Sequence, residues 1–144
     1  MARVLVLNGV NLGTLGTRRP GLYGTMTLDD IERLVRDEFP DLDLDFRQTD
    51  FEGEMVGFIR DAAGSDGLVI NAGAWTHYSY ALHDALEALD VQKVEVHISN
   101  VHKREEWRRV SVISPAVDAV IAGMGVQGYV AAVRHIVCGR SGRR

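Results

Sequence analysis

The chain has 144 residues, of which 46% are hydrophobic and 25% charged, and its formal net charge is −4. That length suits one compact domain with a real core, while the mild acidity offers no electrostatic footprint for nucleic acid. No apolar run approaches the roughly 20 residues of a membrane span, and the N-terminus enters a strand-like run without a secretory leader, so a cytoplasmic location is expected.

In chain order, short β-branched runs alternate with stretches of helical period. The strand-like runs are Arg3 to Leu7, Leu42 to Gln48, Gly67 to Ile70, Lys93 to Ile98 and Val117 to Ile121. The amphipathic stretches are Leu28 to Phe39, Glu52 to Ala63, Tyr78 to Leu89 and Gln127 to Val137. In the first of these, Leu28, Ile31, Leu34 and Val35 recur at helical spacing. Thr27 with Asp30 three residues on reads as its start, although a capping box prefers Glu or Gln at the second position. Five strands alternating with helices imply an α/β, flavodoxin-like layout: a five-stranded parallel sheet with helices on both faces. Residues 1–138 form the expected single domain, and 139–144 read as a flexible tail. The one cysteine, Cys138, lies in an apolar helical pattern and is expected in the core or an interface; it excludes an internal disulfide.

In such a sheet, ligands bind beyond the carboxyl ends of the strands, where strand order reverses. Residues 123–128 spell the Gly-x-Gly-x-x-Gly dinucleotide fingerprint, but the chain ends before the following strand and acidic residue that the fingerprint needs. A tight turn and close helix–sheet packing explain those glycines better.

Polar residues gather instead after strands one, three and four. The first such loop runs about seventeen residues from Asn8 to Gly24, contains Asn11, Arg18, Arg19 and Tyr23, and has the length and glycine content of a lid. Tyrosine has a reference pKa of about 10, and a neighbouring guanidinium favours the phenolate. Tyr23 beside Arg18 is therefore either a general base or a surface tyrosine. After strand three, Asn71 and His77 flank a turn into a helix, as a polar pocket wall or as a turn cap and a helix-end histidine. On strand four, Glu95 and His97 share one face, while Val94, Val96 and Ile98 share the other. A carboxylate and an imidazole inside a sheet are costly unless paired, and a paired carboxylate fixes the ring's tautomer. That is the arrangement of an oriented general acid, with a buried structural pair as the alternative. His97 and His102 lack a ligand set for a metal. Beyond them, Arg104 and Arg108 lie four apart; on spacing alone they are solvated charges rather than a clamp for a carboxylate. Lys93 and Lys103, the only lysines, stand at no evident pocket position, which argues against imine chemistry.

Asn-Gly-x-Asn-Leu, Arg-x-Pro-x-x-Tyr-Gly, Asn-Ala-Gly-Ala-x-Thr-His, Glu-Val-His-x-Ser-Asn-Val and Gly-x-Gly-x-x-Gly-Tyr occur here in that order. Together they resemble the type II 3-dehydroquinate dehydratase family over residues 3 to about 137. The resemblance implies cofactor-free elimination of water from 3-dehydroquinate by a homododecamer, a tetramer of trimers. It implies Tyr23 as the base at C2 with Arg18 tuning it, Asn11 holding a water at the enolate, and His97, oriented by Glu95, as the acid. It further implies Asn71, His77, Ile98, Ser99 and Arg108 as substrate-binding residues, with Asp84 reaching the site from a neighbouring subunit. Three positions depart from the family's usual pattern: Val10 for proline, Arg19 for glutamate and Val110 for histidine. The competing expectation is a non-catalytic flavodoxin-like module that binds a nucleotide or flavin.

Overall fold

A computed structural model describes residues 1–17 and 19–141, with the backbone alone at Pro20, Tyr23 and Ser141. The strands are β1 (Arg3–Asn8), β2 (Asp43–Gln48), β3 (Gly67–Asn71), β4 (Gln92–His97) and β5 (Ala119–Ala122). They form one sheet in the order β2-β1-β3-β4-β5, and every pairing is parallel. The helices are α1 (Pro20–Tyr23), α2 (Leu28–Glu38), α3 (Glu52–Asp61), α4 (Tyr80–Ala88) and α5 (Gln127–Ser141). The flavodoxin-like α/β layout expected from the alternation is the one observed.

Alternation along the strands divides the core in two. Val4, Val6, Val69, Val94 and Val96 face one layer, built with Ile31 and Val35 of α2 and Tyr129, Val133 and Ile136 of α5. Leu5, Leu7, Leu68 and Ile70 face the other, with Met55 and Ile59 of α3 and Leu82 and Leu86 of α4. Each of the three central strands is thus covered on both sides, which is why β1 and β3 read as continuous apolar runs, while β4 carries polar side chains on one face. Lys93 is the exception that sits below Glu95 on the α4 side. Its Nζ donates to the carbonyls of Leu86 and Leu89 at 2.8 and 2.6 Å, capping the C-terminal end of α4.

Local chemistry explains most element ends. Thr27 caps α2 with both halves of a capping box, Asp30 serving where Glu is preferred. The third helical stretch begins later than its pattern suggests. Gly73–His77 form a 3-10 turn, and Ser79 then caps α4 by accepting from the Leu82 amide at 3.1 Å. β5 likewise starts two residues late, after a 3-10 turn at Ser114–Ala116. One expectation needs correction and another is narrowed. α5 continues through Gly139 to Ser141, and Arg140 meets Asp66 at 3.0 Å, so these residues belong to the fold rather than to a tail. Cys138 is exposed on the single chain, on the outward side of α5, and is no part of its core.

Strand order reverses between β1 and β3, and the register sets Asn8 opposite Asn71 at their carboxyl ends. The loops that follow touch each other. The Gly9 amide donates to the Asn71 carbonyl at 2.8 Å, and a Cβ on Gly9 would lie 2.5 Å from the Ala72 carbonyl oxygen. Gly73, at φ 61, passes so near Val10 that a Cβ there would lie 2.8 Å from its carbonyl oxygen. These backbone contacts cannot be relieved by rotating a side chain. Gly9→Ala is therefore expected to cost about 1–3 kcal/mol, as overpacking of a tight site does. A denaturant midpoint equal to that of the parent protein would show that the two loops can separate freely.

Candidate active site

The ends of β1, β3 and β4 enclose a cleft of about 140 Å³ lined by Asn11, Asn71, His77, His97, Ile98 and Ser99, together with Arg104 and Arg108. These eight residues, all singled out from sequence, thus meet at the switch point of the sheet. Asn11 is in the left-handed region at φ 67, a conformation asparagine tolerates better than most residues. Its amide donates to Asp50 Oδ1 at 2.9 Å, which ties the start of the lid loop to the loop after β2.

Asn71 is both pocket wall and turn cap. Its Oδ1 accepts from the Gly73 amide at 3.2 Å, and its Nδ2 donates to the Tyr129 hydroxyl at 2.9 Å. Tyr129 passes its own proton to Asn8 Oδ1 at 2.7 Å. Burial pushes the Tyr129 phenol well above its ordinary value, so it stays a neutral donor in this chain of bonds. Tyr129 follows the glycine-rich turn into α5, and Gly128 lies 3.3 Å, at its would-be Cβ, from Val96. The turn therefore serves close packing, as the sequence pattern suggested.

On β4, Glu95 and His97 do share a face. His97 Nε2 lies 2.5 Å from Glu95 Oε2, with both side chains buried. The carboxylate accepts, so Nε2 carries a proton and Nδ1 is the remaining nitrogen. Two serines absent from the sequence reasoning complete the carboxylate's shell. Ser114 Oγ donates to Oε1 at 2.7 Å, and Ser111 Oγ lies 3.2 Å from the same oxygen. Both come from the irregular segment beyond β4, where nothing in the local pattern marks them.

His77 is oriented differently. Its Nδ1 donates to the Val110 carbonyl at 2.7 Å, and its ring stands edge-on to Trp107, with centroids 5.2 Å apart. The contact uses the backbone of residue 110, so valine in place of histidine there leaves it intact. Burial lowers the His77 imidazole below its ordinary 6.5, helped by the positive charges of His97 and Arg108 and opposed by the Val110 hydrogen bond.

The expectation of solvated charges at Arg104 and Arg108 is overturned. Their side chains are only 7% and 18% exposed. Arg104 Nη1 reaches Ser99 Oγ at 3.4 Å, while Arg108 lies 4.1 Å over the Trp107 ring and pairs with Glu105. They sit not on one helix but at two 3-10 turns, Arg104 just after Val101–Lys103 and Arg108 within Glu106–Arg109. Two half-buried guanidiniums in a chain of net charge −4 make this cleft a seat for an anion.

One assignment is not brought in, and two rest on residues outside those described. Asp84 is exposed on α4, where its carboxylate clusters with His83 and Glu87 away from the cleft. Arg18 and the Tyr23 side chain lie outside the described residues. Arg19 is exposed, at φ 24. Neither lysine serves imine chemistry: Lys93 is committed to the α4 carbonyls and Lys103 is exposed.

A sequence profile described as Dehydroquinase class II matches residues 2–137. The chain belongs to the class II dehydroquinase family. It is 50% identical to a 3-dehydroquinate dehydratase of Azorhizobium caulinodans, over 96% of this chain and 95% of that one. It is also 50% identical to one of Methylobacterium radiotolerans, over 97% and 96%. The crystal structure of a type II dehydroquinase from Propionibacterium acnes superposes with a TM-score of 0.90 at 45% identity, over 95% of this chain and 97% of that chain. Membership in this dehydroquinase family displaces the expectation of a flavin- or nucleotide-binding module.

The lowered His77 value carries a sign. Above the ordinary 6.5 both folded and unfolded forms are neutral at this ring, so it contributes nothing pH-dependent. As pH falls below 6.5 the unfolded chain takes up the proton first, and stability is lost until the folded pKa is passed. An NMR titration should therefore place the His77 midpoint below 6.5. A midpoint at or above that value would contradict the burial of this ring.

Proposed function

We propose that this protein is a type II 3-dehydroquinate dehydratase, a hydro-lyase that converts 3-dehydroquinate to 3-dehydroshikimate in the shikimate pathway. The observation that carries the proposal is the buried Glu95–His97 pair at the rim of a cationic cleft, in a chain of the dehydroquinase family. Breaking the C2–H bond sends its electron pair to the ketone oxygen as an enolate. The enolate then collapses and expels the C1 hydroxyl, which needs a proton to leave as water. A base on one side and an acid on the other suffice, and neither step calls for a cofactor or an imine.

His97 suits the acid, since Glu95 holds Nε2–H and the remaining nitrogen can donate to the leaving hydroxyl. Tyr23, tuned by Arg18, takes the part of the base, and Asn11 holds a water against the enolate oxygen; family membership supports all three assignments. Asn71, His77 and Arg108 bind the hydroxyls of the substrate, while its carboxylate lies by Ile98 and Ser99. Arg104, buried beside Ser99, adds a cation for that carboxylate, although its spacing alone read as a solvated charge. Asp84 is exposed on α4 and reaches the site only from another subunit, in keeping with assembly as a cytoplasmic dodecamer, a tetramer of trimers. Sedimentation at twelve chain masses is the expected state.

Addition of 3-dehydroquinate should raise ultraviolet absorbance as the conjugated enone forms; well-folded, assembled protein that produces no rise would sink the proposal. Tyr23→Phe and His97→Ala should each lower kcat by about 10²–10⁴, the usual worth of general acid–base catalysis. Glu95→Gln should be milder, since it keeps an acceptor for the ring.

A further inference from the structure

Glu95 sits in a central strand at 1% exposure and has more donors than the imidazole alone. His97 takes Oε2. Ser114 Oγ donates to Oε1 at 2.7 Å. Ser111 Oγ lies 3.2 and 3.3 Å from the two oxygens. Ser111 Oγ also accepts from the Ser114 amide at 3.0 Å, which directs its own proton away from that amide and toward the carboxylate.

Both hydroxyls face an oxygen that could otherwise keep a proton. A buried carboxylate with one imidazole partner has a competing arrangement, in which the shared proton moves from Nε2 to the carboxylate and both groups are neutral. Burial favours the neutral form. In that form the ring is neutral, and its remaining N–H is a far weaker acid until the carboxyl returns the shared proton to Nε2. Donors on the carboxylate favour its ionised form and oppose the transfer.

We infer that Ser111 and Ser114 are positioning residues for the dehydration: by donating to Glu95 they hold the shared proton on His97 Nε2 and leave the other nitrogen to deliver the proton that the reaction consumes. Neither serine lines the substrate cleft, so neither is a catalytic residue. The inference rests on the reading of His97 as the acid.

Ser114 is the cleaner test, because Ser111 also serves the Ser114 amide. Ser114→Ala should lower kcat about tenfold, the equivalent of one hydrogen bond to a charged group, with KM changed less than about twofold. Ser114→Thr should restore most of the loss. The far-downfield proton resonance of the Glu95–His97 bond should move in Ser114→Ala and return in Ser114→Thr. In a Glu95→Gln background, Ser114→Ala should have almost no further effect on kcat, the mark of a residue that acts through Glu95. Ser114→Cys, which keeps the volume with a weaker donor, replaces the alanine variant should that one unfold. Unchanged kcat and resonance in folded Ser114 variants, while His97→Ala is inactive, would overturn the inference alone. A full kcat loss that persists beside Glu95→Gln would overturn it too. Turnover retained by His97→Ala would instead remove the acid assignment beneath it.

Discussion

A carboxylate taken out of water costs several kcal/mol unless donors replace its hydration, and Glu95 lies in β4 with apolar strands on either side of it. The residues that supply those donors shape everything beyond β4. A parallel sheet usually passes from one strand to the next through a helix. Here the crossover from His97 to Ala119 is instead three 3-10 turns, anchored where Ser111 and Ser114 reach the carboxylate and where Ile113 and Ala116 enter the α3/α4 core. Because the segment is tied down at that end, its middle is held across the mouth of the cleft. That middle carries Arg104 and Arg108.

The opposite wall is held by a neutral counterpart. Asn8 and Asn71 end adjacent strands, and Tyr129 from α5 bridges them. This fixes which way the Asn71 amide faces, with its oxygen at the Gly73 amide and its nitrogen at the phenol. Asn8 in turn donates to the Arg47 carbonyl of β2. A fully satisfied buried network of this kind specifies one geometry, whereas a partly satisfied one would be costly. The cleft thus lies between a charged cluster on β4 and a neutral one on β1 and β3, and neither depends on a ligand to hold its shape.

Much of this was legible from residue order. Strand runs, helical periods and the Glu95–His97 face follow from local periodicity, and the structure reproduces them within a few residues. The late start of α4 and of β5 was hidden because 3-10 turns carry no apolar period of their own. The end of α5 was hidden because Gly139 and Arg140 look like loop residues until Arg140 meets Asp66. In the site, the residues missed are those whose role exists only through distant partners. Tyr129 is 121 positions from Asn8, and Ser114 is 19 from Glu95. Arg104 and Arg108 looked like solvated charges because spacing says nothing of what covers them. The loop after β1 was read as a lid from its length and glycine content, and the side chains proposed to act there, Arg18 and Tyr23, lie outside the described residues.

The two imidazoles in the cleft are set to opposite tasks by their second nitrogens. His77 gives its Nδ1 proton to a carbonyl, the Val110 oxygen, whose support for a cationic ring is outweighed by burial. Burial, with the charges of His97 and Arg108, lowers it below its ordinary value against that bond, so at neutral pH its Nε2 presents a lone pair. His97 gives its Nε2 proton to a carboxylate, which supports a cation. One ring can therefore accept a hydrogen bond from a substrate hydroxyl while the other offers a proton. The polarity of this cleft is set by the surroundings of each histidine, burial against a loop carbonyl at His77 and a strand carboxylate at His97.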